Sequence, residues 1–154
     1  MKNVLVSACL LGTPCRYDGK EKPCAEVIAL SKFYHLIPIC PEVLGGLPTP
    51  RLPAEFDGEK AIRQDGVDVT SAFEAGARKT LAIAKGNQCT FAILKDKSPS
   101  CGKRSYDGTF SRCLENKAGI TAALLIENGI AVYSEEELEQ IPLLSNDSKR
   151  NCDV

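Results

Sequence analysis

The chain predicts an α/β fold, a Rossmann-like three-layer arrangement with a short, mostly parallel sheet and long loops at its carboxyl edge. Three observations carry this expectation. Short apolar runs alternate with stretches whose apolar residues recur at helical spacing. Segments rich in Gly, Pro and Ser follow the apolar runs and supply the turns. Finally, 154 residues with 44% hydrophobic and 25% charged side chains are ordinary for one soluble domain that buries its own core.

The elements follow in order. Asn3-Val4-Leu5-Val6-Ser7-Ala8 is a first strand, and a turn-rich segment from Cys9 to Gly19 leaves it. From Pro23 to about Tyr34, Ala25, Ile28, Ala29 and Phe33 recur at helical spacing, with Pro23 acceptable in a first turn. His35-Leu36-Ile37-Pro38-Ile39 is the second strand, and His35 at its start reads as structural. The loop from Cys40 to Arg51 combines a thiol, a carboxylate and an arginine with paired glycines and three prolines, so backbone rules shape it rather than apolar packing. Residues 52–66 read as irregular, with Asp57-Gly58 and Asp65-Gly66 as turn signals. Asp68 or Thr70, or a Ser71-x-x-Glu74 box, can open the next helix, whose apolar face is Phe73, Ala77, Leu81 and Ala84.

Thr90 to Leu94 is the clearest strand and runs into Ser98-Pro99-Ser100-Cys101-Gly102. A loop with a short hairpin near Asp107-Gly108 leads to a helix over 120–128 ended by Gly129. Ile130 to Tyr133 is a fourth strand, and Ser134-Glu135-Glu136-Glu137 is a capping box for a short last helix. Residues 1–144 are expected to form a single domain, followed by a polar, disordered tail over 145–154.

Composition also excludes function classes. A net charge of −1 gives no argument for nucleic acid or an anionic membrane. No apolar run approaches the roughly 20 residues that span a bilayer, and the N-terminus does not read as a signal peptide, so a cytoplasmic location is expected. Eight cysteines then need an account other than disulfides. No C-x-x-C pair occurs and there is one histidine, which leaves a zinc ribbon or a thioredoxin-type motif poorly supplied.

In a parallel sheet the loops leaving the carboxyl ends of the strands share one edge, and ligands bind there. Cys9, Cys40 and Cys101 follow the first three strands, so topology predicts that they meet, whereas Cys89 falls at the opposite edge. Three thiols without histidine suit a soft metal centre of the iron–sulfur kind, and three ligands on a four-iron cube leave one iron open. Cys24, Cys89, Cys113 and Cys152 read as small buried hydrophobes. Cys15 can be a fourth ligand, a spare thiol or packing, and spacing does not choose. Glu42 lies two residues from a candidate ligand, and a carboxyl in a partly dry pocket can exchange a proton near neutral pH. Ser98 can position a substrate or relay a proton, or simply serve the turn before Pro99. Arg16 and Arg51 can each recognise a substrate or pin a loop. Ser100 and Arg51 are the candidate substrate-binding residues. Cys9 and Arg16 form C-x6-R, one residue longer than the phosphatase loop, and Pro14 lacks an N–H for a phosphate cradle.

The segments SACLLG at 7–12, RYDG at 16–19, CPE at 40–42, GLPTPR at 46–51, DVT at 68–70, DKSPSCG at 96–102 and YDGTF at 106–110, with Thr121-Ala122, resemble the DUF523 family, whose characterised members are thiouracil desulfurases. The resemblance runs to about residue 142. It implies a [4Fe-4S] cluster on Cys9, Cys40 and Cys101, with Cys15 ranked below them, and catalytic roles for Glu42 and Ser98. The implied reaction is hydrolytic: a thiolated pyrimidine's C=S becomes C=O and sulfide leaves, with no net redox change. A non-catalytic iron–sulfur or zinc module acting as carrier or sensor is the alternative, and a cysteine phosphatase or arsenate-reductase-like enzyme a minor one.

Overall fold

The computed structural model describes residues 1–111 and 113–142; the expected polar tail and Cys152 lie outside the described residues. Its centre is a four-stranded sheet of β1 (Lys2–Ser7), β2 (Tyr34–Ile39), β5 (Phe91–Leu94) and β8 (Ala131–Ser134), in the order β2-β1-β5-β8 with every pairing parallel. β1 leads outward to β2 and the chain then crosses back to β5, so the order reverses between β1 and β5. That reversal opens a crevice at the carboxyl edge. Pro38 sits within β2, where it is tolerated because β2 is an edge strand and its outer backbone groups have no ladder to complete.

Parallel sheets are covered on both faces, and the alternation along β1 shows it. Val4 and Val6 face one cluster with Val27, Leu30, Ile93 and Ile141; Leu5 faces the other with Ala84, Ala92, Leu94, Ala122 and Leu125. The first layer comes from α1 (Ala25–Ala29) and the 3-10 turns beside it, the second from α3 (Thr70–Gly86) and α4 (Ile120–Glu127). The three-layer α/β expectation is met. No helix among the described residues is long and apolar enough to cross a membrane.

Several elements differ from their sequence reading. The helix expected from Pro23 to Tyr34 is α-helical only in α1 and tightens into a 3-10 turn at Leu30–Lys32, bringing Tyr34 opposite Lys2 to begin β2. The stretch read as irregular contains an antiparallel hairpin of β3 (Ala54–Phe56) and β4 (Ala61–Arg63) around Asp57-Gly58. Three-residue strands are too short for periodicity to reveal. The expected second hairpin exists as β6 (Ser105–Tyr106) and β7 (Leu114–Glu115), with a wider connection than a tight Asp-Gly turn. Asp68 Oδ1 accepts from the Thr70 N–H at 2.9 Å where α3 begins, so Ser71 lies inside the helix and its box does not open it. The Ser134 box closes, with the Ser134 N–H on Glu137 Oε1 at 3.0 Å, yet a 3-10 turn at Leu138–Gln140 follows instead of an α-helix.

A fourth helix, the single turn α2 (Pro41–Leu44), sits where a loop was expected, with Pro41 in its first turn. It rests on α3 through two glycines. A Cβ on Gly45 would run into the Ala72 carbonyl, and one on Gly76 into the Pro41 carbonyl. Ala normally stabilises a helix over Gly by roughly 0.5–1 kcal/mol. Here that gain is outweighed, because overpacking costs about 1–3 kcal/mol. Gly76→Ala should therefore lower stability by about 1–2 kcal/mol, read as a lower midpoint in urea denaturation.

The segment after β5 is tied to the end of β8 by charge. Lys95 Nζ pairs with Glu135 at 3.1 Å, the Asp96 N–H donates to Glu135 Oε1 at 2.7 Å, and Lys103 pairs with Glu137 at 3.1 Å. Asp96 is buried and Arg104 closes on it in a two-pronged hydrogen bond. Burial alone would raise the Asp96 carboxyl, but the Arg104 guanidinium more than offsets this and holds it below the usual carboxylate range. The stability from this lowered value is complete above about pH 4, the ordinary carboxylate value, and is lost as pH falls through the folded one. Asp96→Asn should cost about 1–2 kcal/mol at neutral pH, the Arg104 side being partly exposed. Its deficit relative to the natural chain should shrink when denaturation is repeated below about pH 4.

Candidate metal centre

One cavity of about 280 Å³ opens at the carboxyl edge of the sheet, lined by Cys9, Cys15, Cys40 and Cys101 together with Glu42, Arg51, Ser98 and Ser100. Cys9 lies in the 3-10 turn Ala8–Leu11 that directly follows β1. Cys40 is the residue between β2 and α2. Cys101 ends the turn that leaves β5. The convergence expected from topology is present in the fold. Cys89 precedes β5 and packs into the core on the α3–α4 face, Cys24 packs on the other face, and Cys113 is exposed.

Cys15 stands inside the group. Its thiol is in hydrogen-bonding contact with both Cys9 and Cys40, and Cys40 Sγ also lies 3.8 Å from the Cys15 carbonyl. The contact with Cys15 and burial together push the Cys40 thiol far up. The Cys40 contact favours the Cys15 thiolate, but the Cys9 contact and burial prevail and raise it. Burial pushes the Cys101 thiol up to about 12, against the lowering effect of Ser7. Soft donors of this kind suit iron–sulfur chemistry. Among the described residues, no three His, Cys, Asp or Glu side chains form a group fitted to one metal ion. Cys9, Cys15, Cys40 and Cys101 all line the one cavity.

Glu42, in the first turn of α2, is held from two sides. Arg51 Nε donates to Oε1 at 3.0 Å, and Ser100 Oγ donates to Oε2 at 3.0 Å. Arg51 also donates through Nη2 to the Cys15 carbonyl at 3.0 Å and through Nη1 to the Pro48 carbonyl and Thr49 Oγ1, both at 3.1 Å. Its side chain is 6% exposed. Of its two readings, the loop-pinning one is what these contacts describe. Arg16, by contrast, lies 3.9 Å from Asp18 and over the Tyr17 ring, in the lining of the cavity.

Ser98 Oγ accepts the N–H groups of Ser100 and Cys101, at 3.2 and 3.0 Å, so it does shape the turn. It also lies 3.1 Å from Ser100 Oγ. A hydroxyl has one proton, and that of Ser100 is directed at Glu42. The Ser98 proton is then free to point at Ser100, which orders a chain Ser98–Ser100–Glu42. Behind it, the first free N–H groups of α4 are satisfied by this same turn: Ile120 N–H on the Pro99 carbonyl at 3.1 Å, and Thr121 N–H on the Ser100 carbonyl at 3.0 Å. Gly102 and Gly119 allow the close fit, since a Cβ on Gly119 would come within 2.6 Å of the Pro99 carbonyl.

Other residues at the cavity carried little signal of their own. Ser7 Oγ accepts the Lys95 N–H at 2.9 Å and contacts the Cys101 sulfur, tying β1 to the turn after β5. Tyr17, Tyr106 and Glu55 also line the walls. Of the apolar residues available for a pocket, Phe110 lines it, whereas Leu10, Leu11 and Leu44 pack into the two core clusters.

Comparison with known proteins identifies the family. The chain is 42% identical over 149 residues to the uncharacterized protein YbbK of Bacillus subtilis (strain 168), a match covering 90% of this chain and 99% of that one. It is 43% identical to a solved structure described as the [4Fe-4S]-dependent thiouracil desulfidase TudS, with a TM-score of 0.88 over 95% of this chain and 99% of that one. A family model, 2-thiouracil desulfurase, matches residues 4–137. With the expected edge, the expected thiols and a match along most of its length, this chain belongs to the 2-thiouracil desulfurase family.

Proposed function

We propose that this chain is a [4Fe-4S]-dependent desulfurase that converts the thiocarbonyl of a small thiolated base, such as 2-thiouracil, into a carbonyl and releases sulfide. The observation that carries it is the meeting of three strand-end thiols with a carboxylate–serine chain in one cavity. In this reading Cys9, Cys40 and Cys101 hold the cluster as thiolates, giving up protons on loading. Cys15 is the neighbouring spare thiol. When bound, the cluster supplies Lewis acidity toward the substrate's sulfur.

The protein groups handle water and protons. Glu42, fixed by Arg51, takes a proton from the water that attacks the thiocarbonyl carbon. Once Glu42 is protonated the two hydroxyls turn over, Glu42 donating to Ser100 and Ser100 to Ser98, so the proton can pass along them toward the departing sulfur or the ring nitrogen. The balance is C=S plus water giving C=O plus hydrogen sulfide. Arg51 acts in this reading as the positioning residue for Glu42, and Ser100 as the link in the relay.

Anaerobic reconstitution followed by sulfide release from 2-thiouracil tests the proposal. Glu42→Ala should keep the broad brown absorbance of the cluster and lose about 100-fold or more in turnover, the usual worth of a positioned acid–base group. Turnover unchanged in that variant would leave a carrier or sensor as the better account. Cys9→Ser, Cys40→Ser and Cys101→Ser should each lose the absorbance while Cys15→Ser keeps it. Loss in Cys15→Ser with retention in Cys40→Ser would overturn the ligand set.

A further inference from the structure

Glu55 is a buried carboxylate on β3, 7% exposed, outside the relay just described. Its Oε1 accepts two backbone N–H groups from the far hairpin, those of Gly108 and Phe110, both at 3.1 Å. Phe110 is a non-glycine residue with φ 61°, in the left-handed region that such residues seldom adopt. The turn is also seated closely on β3's own hairpin, because a Cβ on Gly108 would come within 2.8 Å of the Asp57 Cβ. Asp107 Oδ1 takes the intervening Thr109 N–H at 2.9 Å from within the turn, and Glu55 is the carboxylate that ties Gly108 and Phe110 to another element; what the turn presents is the wall of the cavity at Phe110. Tyr17 and Tyr106 line the same cavity, so three of the chain's nine aromatic residues (five Phe and four Tyr) gather there.

We propose that Glu55 is a positioning residue whose grip on Gly108 and Phe110 builds an aromatic wall against which a planar, heteroaromatic thiocarbonyl ring stacks. The inference rests on the desulfurase reading and assigns the residue that holds the surface on which its flat, thiolated base stacks. The thiols and Glu42 come from the strand ends, and the aromatic wall from the 16–19 turn and the β6–β7 hairpin, held by Glu55 of β3. Reaction and recognition thus sit on separate elements. A ring that stacks gains binding from the wall, while an acyclic thioamide of similar chemistry does not.

The test uses the full chain, reconstituted with its cluster under anaerobic conditions, and compares sulfide release from 2-thiouracil and from thioacetamide. Base–aromatic stacking sets the scale of the effect. Phe110→Leu and Glu55→Ala should each raise KM for 2-thiouracil roughly tenfold, with a smaller fall in kcat. The preference in kcat/KM for the ring over thioacetamide should fall by a similar factor. Glu55→Gln keeps an acceptor oxygen for both N–H groups and should restore most of that preference. A fall in kcat with KM unmoved, an equal loss on both substrates, or no rescue by Gln would overturn the proposal. Should Glu55→Ala fail to fold, Phe110→Leu and Glu55→Gln decide it. If the natural chain releases no sulfide from either compound, the desulfurase reading fails by itself. Calorimetric titration with uracil then judges the wall alone: binding roughly tenfold weaker in Phe110→Leu supports it, and equal binding overturns it.

Discussion

The Arg51–Glu42 pair is the contact on which the rest of the site turns. One largely buried guanidinium reaches a carboxylate on α2, the carbonyl of Cys15 in the turn after β1, and two oxygens of its own loop. Three segments that approach the edge of the sheet separately are thereby fixed to one planar group. Burying such a pair is a weak source of stability, since desolvation offsets much of the attraction. Its value lies in geometry. A catalytic constellation has to be held to within about 0.5 Å, and a rigid, many-toothed donor does this better than a flexible ammonium would.

The other half of the site is supported differently. The turn carrying Ser98, Ser100 and Cys101 has no arginine of its own in the cavity. Backbone carries it instead: α4 donates its first N–H groups into the turn, and Gly102 and Gly119 let the chain press against it without side chains between. Salt bridges from Lys95 and Lys103 to the segment after β8 hold the same stretch from outside. Ser100 then reaches across to Glu42 and joins the two halves. The hydroxyl is thus a structural link, and in the proposed reaction it is also a step on the proton's path.

Much of this arrangement was legible in the sequence, and the parts that were not have a common cause. The four strands of the main sheet and the gathering of Cys9, Cys40 and Cys101 at one edge follow from period and topology, which a chain displays openly; the order of the strands does not. Glu42 and Ser98 stood out because they adjoin thiols in proline- and glycine-bearing loops. The turn α2 was missed although Pro41 and the glycines after Leu44 frame it, since one helical turn is too short for a repeat. The role of Ser100 depends on a partner 58 residues away. Glu55 lies in a three-residue strand, and its partners belong to another hairpin. Periodicity reports what an element buries. It does not report which distant backbone an acid will hold.

The position of Pro38 reaches beyond the cavity. An open border of a sheet offers unpaired donors and acceptors to any extended chain that drifts alongside. Here the outermost strand has a ring where one of those donors would stand. Self-association through that border would lose a rung of its ladder at the outset, so the same strand that delivers Cys40 also discourages neighbouring molecules from zipping onto it.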